Sequence, residues 1–527
     1  MSRICLCLTG ETLARNLAAL DTYRKYVDLA ELRVDCLDPD ERFLIRRFPE
    51  QAGLPVILTI RRIRDGGYFR GGEGSRIFLF SRGLAFAEAD RRKNFAYVDL
   101  EEDLSVPSLE EAARTFKTRI IRSHHHVQGG VNDDLAGKLR SLRRMGDEIP
   151  KVAVKPNNLE DTLKLYSAAA ATRDIDKIIL GMGHYGVNTR ILAEKMGSYL
   201  SYVSAAAETA GEFQDAPGGI RREGAPALPL GAEAPPLGAP GQLNPRDLAE
   251  WYRFNAITPK TKLFAVAGYP LNATSSPPFF NRVFTEENLD AVYVPFPAES
   301  LKIFLELADF LNVQGASITV PYKEAILPYL SSRSGEVQSV GACNTIVRTP
   351  DGWAGYNTDT RGFSDSLLNF IEQPDLRRKK ITIIGAGGAA RAVAAEVFRL
   401  KGKALILNRT PVRARRLALP YHFKWAGTDS EGVELVEKFS DIIIQTTSAG
   451  MEPFIDADPL EDYKFSGREK VMDIIYKPER TRLLLRAMKA GCPVLNGYDM
   501  LRRQAMYQYR FFIGTDFPAH LKNRIHI

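Results

Sequence analysis

At 527 residues the chain is too long for one core and, at about 100 to 200 residues per domain, divides into about three folded units. With 45% hydrophobic and 26% charged residues it is neither disordered nor fibrous. The net charge of +7 is scattered, with no basic run or aromatic ladder, so no nucleic-acid partner is expected and the balance better suits anionic small molecules.

The five cysteines, Cys5, Cys7, Cys36, Cys343 and Cys492, form no CxxC pair, so neither a disulfide framework nor a metal site is expected, and a reducing, cytoplasmic setting fits. The opening MSRICLCLTGE holds too short an apolar run for export. Nothing downstream approaches about 18 uninterrupted apolar residues, so no membrane partner is expected.

Eight short β-rich runs come first: ICLCLT, YVDLAELRVD, PVILTIRR, FAYVDLEED, TRIIRSHHHV, KVAVKP, DKIILGMG and SYLSYVSA. Amphipathic stretches such as LARNLAALDTYRKY and LEDTLKLYSAAAAT separate most of them, and eightfold strand–helix alternation predicts a (β/α)8 barrel over residues 1–256. Residues 211–241 are rich in Gly, Pro and Ala, cannot bury enough to fold alone, and read as a long loop over the barrel mouth. The last barrel helix is then NPRDLAEWYRF, and ITPKTK, 257–262, is the linker.

Beyond it, LFAVAGYP, DAVYVPFP and GASITVPYK read as strands of an α/β lobe, 263–370 plus 498–527. A second lobe, 371–497, opens at KKITIIGAGGAARAVAAEVFRL, where an apolar strand meets a glycine turn and then a helix, the pattern of a Rossmann-type nucleotide-binding unit.

In the first half, Lys151 and Lys155 share one face of KVAVKP because strand side chains alternate. On that geometry either can be the buried amine. Alternation also turns His125 of SHHHV away from His124 and His126, so the three cannot share a metal. Glu31, Arg33 and Asp35 of ELRVD lie on one face, and TIRRIRDGG adds Arg61 with Asp65 beyond it; charges inside a parallel barrel near its strand ends read as catalytic.

ELRVD, the S-x-H strand and IPKVAV resemble, in order and spacing, the type I 3-dehydroquinate dehydratases over about residues 1–255. The resemblance implies an imine between Lys151 and the substrate ketone, with His125 as general base and acid. It also implies Arg190 for the substrate carboxylate and Glu31, Arg33, Arg61, Asp65 and Gln242 as further substrate contacts. An imine withdraws electrons from the neighbouring carbon, so an imidazole can remove its proton near neutral pH; the lysine must first be neutral. Asp65 replaces the family's usual Glu, and Gly238 its usual Ser before APGQ.

In the second half, ITIIGAGGAARA gives Gly385, Ala386, Gly387, Gly388 and Ala389 as the phosphate turn. The next strand ends on Asn408-Arg409-Thr410, where an NAD enzyme would carry an acid; Arg409 can meet a 2′-phosphate, so NADP is preferred. GYPLNATSSP, GASITVPYK, GACNT, GYNTD and GYDMLRRQ, in that order, resemble the shikimate dehydrogenases over about 260–527. The resemblance implies Lys323 and Asp359 as the catalytic pair, Thr274 and Ser276 at the substrate carboxylate, Thr319, Asn344 and Gln504 at its hydroxyls, and Ser448, Met451 and Tyr476 beside the nicotinamide. Ala273 and Phe280 stand where histidines are common, Thr274 for a usual Ser and Ser317 for a usual Asn.

Together the two halves predict a bifunctional enzyme that dehydrates 3-dehydroquinate and reduces 3-dehydroshikimate with NADPH. Two alternatives are a quinate dehydrogenase, against which Ser276 and Thr319 argue, and a sensor that kept the folds but not the chemistry, which should have lost Lys151 or Lys323. Oligomeric state is not legible in the sequence.

Overall fold

All eight predicted runs become strands: β1 (Arg3–Leu8), β2 (Leu29–Arg33), β3 (Val56–Thr59), β4 (Tyr97–Glu101), β5 (Arg119–His126), β6 (Ile149–Val154), β7 (Ile178–Gly181) and β8 (Leu200–Ser204). In this computed structural model, which describes residues 1–84, 90–205, 240–271, 274–522 and 524–525, they form one parallel sheet in the order β7-β6-β5-β4-β3-β2-β1-β8. A parallel bridge between Lys177 and Ser198 brings β7 to β8 and nearly closes the barrel. Nearly all of the Gly/Pro/Ala-rich 211–241 segment, including Gly238, lies outside the described residues.

Period-two alternation divides the barrel interior into levels. Cys5, Leu29, Ile57, Tyr97, Ile121, Ile149, Ile178 and Leu200 pack into an apolar floor. Two residues further along the strands the same inward face carries Glu31, Thr59, Asp99, Ser123 and Lys151, all buried. The chemistry therefore sits toward the carboxyl ends of the strands, the end at which such barrels hold their sites. The predicted last barrel helix is present, with π-type spacing over Asp247–Trp251.

The chain separates into two compact units, Met1–Leu263 with Pro270–Asn312, and Phe264–Tyr269 with Val313–Ile527. Within the first, the 270–312 segment carries helix Ser276–Glu286 and strand β10 (Ala291–Pro297), β9 being Lys262–Gly268. The carboxylate of Glu299 in that segment accepts the Leu159 N–H at 2.9 Å, just after the Asn158 cap of a barrel helix.

The second unit contains β11 (Val313–Ile318), β12 (Leu330–Arg333), β13 (Thr345–Thr349) and β14 (Gly352–Tyr356), which lie with β9 in the order β9-β11-β13-β14-β12. Its other sheet is β15 (Lys380–Ile384), β16 (Lys403–Leu407), β17 (Lys424–Ala426), β18 (Ile442–Gln445), β19 (Lys470–Asp473) and β20 (Val494–Leu495). The order β17-β16-β15-β18-β19-β20 is the 3-2-1-4-5-6 arrangement of a dinucleotide fold. Ile381 and Ile383 pack in one core cluster and Ile384 in another, so both faces of this sheet are covered.

Candidate active sites

In the barrel, β6 buries Lys151 to 4% exposure, whereas Lys155, past the end of the same strand, is exposed. Lys151 Nζ lies 2.8 Å from Asp99 Oδ2, donates to the Tyr202 hydroxyl at 2.9 Å, and is 3.8 Å from Glu31 Oε1. Arg61 also reaches Asp99 Oδ2 at 2.8 Å and binds Glu101 at 2.8 Å, while the Ser123 hydroxyl donates to Asp99 Oδ1 at 2.5 Å. Burial alone would raise the Asp99 carboxyl, but Arg61, Lys151 and His125 together hold it far below the carboxylate range. The charged groups nearest Lys151 are thus acids, Asp99 and Glu31.

His124 pairs with Glu102 at 2.6 Å and His126 with the Gly129 carbonyl at 3.1 Å, whereas the buried Nδ1 of His125 has no partner. Burial, then the cations of Arg61 and Lys151, push His125 well below the usual imidazole value. It lines, with Ser123, Glu101 and Asp65, a cavity of ≈ 420 Å³. Asp65 is held by Arg62 at 2.6 Å, and Arg33 by Asp35 at 2.7 Å.

Arg190 is 2% exposed and, among the described residues, has no carboxylate partner: its Nη1 donates to the Tyr202 carbonyl at 3.4 Å and its Nε is unpartnered. Burial lowers it to about 10. A desolvated cation with free donors is suited to an anionic ligand. Gln242 donates to Cys7 Sγ at 3.0 Å, Cys7 in turn to Glu31 at 3.1 Å, and Gln242 Oε1 is buried and unpartnered. Sequence reading missed Asp99, Glu101, Ser123 and Tyr202. YVDLE carries the same signal as ELRVD, charged residues at every second position.

In the second unit, Lys323 Nζ meets Asp359 Oδ2 at 2.7 Å, and Asn344 donates to Asp359 Oδ1 at 2.9 Å. Asp359 begins helix Thr358–Ile371, where Asn357 caps the amides of Asp359 and Thr360. Asn344 also donates to Thr358 Oγ1 at 2.9 Å and to Gln504 Oε1 at 3.4 Å, so four of the polar groups form one network. Thr319 takes its place because its N–H binds the Ala267 carbonyl at 3.0 Å, and Gly268 leaves room for it: a Cβ there would meet Thr319 Cγ2 at 2.3 Å.

Thr274 and Ser276 lie in the 270–312 segment of the first unit, where Thr274 Oγ1 accepts the Ser276 N–H at 3.4 Å at the helix start. Phe280, which stands where a histidine is common, is fully buried and stacks on Tyr293 at 4.5 Å, because it falls on the inner face of that helix. Ser317 donates to Gln508 at 2.9 Å; Ala273 lies outside the described residues.

Ile384, Leu407, Gln445 and Asp473 end neighbouring strands in register, so the turns after them share one edge of the sheet. Gly385 takes φ 116°, where a Cβ would also meet Thr446 Oγ1 at 2.5 Å, and it feeds helix Gly388–Arg399. A Cβ on Gly387 or Gly388 would meet nothing, which leaves open space above this helix start for a pyrophosphate, and Ala386 and Ala389 add little bulk there. Arg409 and Thr410 are exposed at the end of β16, with Asn408 donating to the Thr410 carbonyl at 3.0 Å. Ser448, Met451 and Tyr476 lie exposed on the turns after β18 and β19.

An eight-stranded barrel with a buried lysine at its mouth, followed by a dinucleotide fold with a lysine–aspartate pair, defines a two-enzyme chain, a lyase joined to an oxidoreductase. Comparisons with known proteins agree. A type I 3-dehydroquinase model matches residues 4–225, a shikimate dehydrogenase substrate binding domain 266–346, and a shikimate / quinate 5-dehydrogenase model 368–475. The bifunctional chloroplastic 3-dehydroquinate dehydratase/shikimate dehydrogenase of Arabidopsis thaliana is 28% identical, across 94% of this chain and 79% of its own. The NADP(+) shikimate dehydrogenases of Caldanaerobacter subterraneus and Methanothermobacter thermautotrophicus are 36% and 37% identical, each over 50% of this chain and 95% and 94% of theirs. Through its second half the chain belongs to the shikimate dehydrogenase family, and its first half matches the type I 3-dehydroquinase model.

Proposed function

We propose that the barrel dehydrates 3-dehydroquinate to 3-dehydroshikimate through an imine on Lys151, and that the second enzyme reduces 3-dehydroshikimate to shikimate with NADPH. The observation that carries the reading is that one barrel holds a buried lysine and, among the described residues, an imidazole with an unpartnered nitrogen and an arginine without a counter-ion. Lys151 attacks the ketone, His125 removes the proton next to the imine carbon and returns it to the departing hydroxyl, and Arg190 holds the substrate carboxylate. Glu31, Arg33, Arg61, Asp65 and Gln242 orient the ring.

In the reductase, Thr274 and Ser276 bind the carboxylate and Thr319, Asn344 and Gln504 the hydroxyls. Lys323, positioned by Asp359, delivers a proton to the carbonyl oxygen as it becomes a hydroxyl. The hydride comes from bound NADPH. The glycine turn at 385–389 and the basic Arg409 fit its pyrophosphate and 2′-phosphate, with Asn408 and Thr410 beside the ribose and Ser448, Met451 and Tyr476 toward the nicotinamide.

The proposed boundaries are a dehydratase over 1–256, a linker at 257–262, a substrate lobe of 263–370 with 498–527, and an NADP lobe of 371–497. A cytoplasmic enzyme acting on small molecules alone, without nucleic-acid or membrane partners, fits the scattered charge and five free cysteines, and among the described residues no helix is long and apolar enough to cross a membrane.

The test is a coupled assay with dehydroquinate and NADPH on the wild type and on Lys151→Ala. Wild type should consume NADPH, and the variant only when given dehydroshikimate. Consumption from dehydroquinate by the variant would transfer the role to Lys155, and an inert wild type would favour a sensor.

A further inference from the structure

The roles above leave one buried acid beside Lys151 without a task. Asp99 is 1% exposed, and its Oδ2 sits 2.8 Å from both the nitrogen that reacts, Lys151 Nζ, and Arg61 Nη2. Ser123 ties down the other oxygen at 2.5 Å. A carboxylate stripped of water is costly unless paired, and half of this pairing is to the reacting atom.

We propose that Asp99 is a catalytic residue, the counter-ion of the iminium formed on Lys151. The proposal rests on the imine reading of the barrel. Its charge balance is simple: the lysine ammonium and the ketone give the iminium and one water. A C=N bond replaces the C=O bond, and the oxygen leaves as water with two of the three ammonium protons. The proton that frees the nitrogen lone pair passes to the carbonyl oxygen and departs with it. One positive charge therefore stands beside Asp99 before and after, and the anion needs no reorganisation.

The surroundings fit a permanent charge and not a base. Arg61, backed by Glu101 at 2.8 Å, shares the same Asp99 oxygen. Glu31 lies 3.8 Å from the lysine, and the Tyr202 hydroxyl accepts from it. Removal of the carbon-bound proton turns the iminium into a neutral enamine and moves the charge to His125, which Asp99 also favours in its protonated form.

Three measurements test this on the full chain. Borohydride added during dehydration reduces the iminium and leaves a stable adduct on Lys151, read by mass spectrometry. In Asp99→Asn the pH midpoint for trapping should fall by about one pH unit or more, and the dehydratase kcat by about 100-fold, while shikimate oxidation by the same molecules is unchanged. An unchanged midpoint with kcat within about twofold would overturn the proposal.

Calorimetry keeps the question open to test if that variant does not fold. With Asp99 intact and turnover arrested by His125→Ala, binding of dehydroquinate should give the same heat in phosphate and in Tris, since no net proton is exchanged. Release of about one proton would overturn the counter-ion role. Absence of any wild-type adduct would instead overturn the imine reading itself.

Discussion

Exchanging Arg190 for methionine should move stability and substrate binding in opposite directions. Arg190 keeps its charge in a buried site with one long 3.4 Å hydrogen bond and, among the described residues, no acid, and burial lowers it to about 10. At about 1.4 kcal/mol per power of ten, the fold carries a penalty of about 3 kcal/mol for holding this cation. The penalty is complete at any pH below the lowered value and fades only as pH rises through it toward the usual arginine value. Methionine keeps most of the apolar stem and removes the charge, so the barrel's Tm should rise, by about 2 to 4 °C for each kcal/mol released. The substrate carboxylate meanwhile loses charge-assisted bonds worth about 1.5 to 3 kcal/mol, an increase in the KM for dehydroquinate of about 10- to 150-fold. Scanning calorimetry and initial rates on one preparation read both, with shikimate oxidation as the internal control. A lower Tm together with an unchanged KM would refute the reasoning, since the arginine would then be a structural group.

Lys323→Met should lower the shikimate dehydrogenase kcat by about 100-fold or more and leave dehydration untouched, which steady-state rates on each half check. Arg409→Ala should raise the KM for NADPH by about 10- to 150-fold with little change for NADH, as the loss of one charge-assisted phosphate contact requires. Because His125 is pushed down in the folded barrel, its neutral form persists as pH falls through the ordinary histidine range; dehydratase kcat/KM should stay flat through about pH 6.5 and fall only below it. The same sign makes His125 cost stability on acidification: its contribution is complete above the unfolded value and is lost progressively below it, so a urea series should find the barrel weakening from about pH 6.5 downward unless His125→Gln removes part of the slope.

Legibility in the sequence followed the range of the interactions. While the choice of Lys151 over Lys155 and of His125 over its neighbours came from the family resemblance, period-two runs placed all eight barrel strands, because strand alternation is local. The glycine turn at Gly385 was readable for the same reason, since φ 116° excludes most side chains whatever lies elsewhere. Pairings across the barrel were not readable. Arg76 and Arg122 are both fully buried, and besides the nearer Glu73 and Glu110 each takes an acid, Glu101 and Glu148, that lies 25 and 26 residues away and meets it only once the barrel curves. Asp99 likewise faces Lys151 across 52 residues of chain.

The apolar floor of the barrel has a consequence for traffic. Ile57, Ile121, Ile149 and Ile178 are wholly shielded directly beneath the charged level, so among the described residues the chamber is closed at its floor. The water expelled when the imine forms, the water set free at dehydration and the product itself must all leave by the way the substrate entered. Order of exit is then part of the catalytic cycle, and any lid over the mouth times both the chemistry's dryness and its turnover.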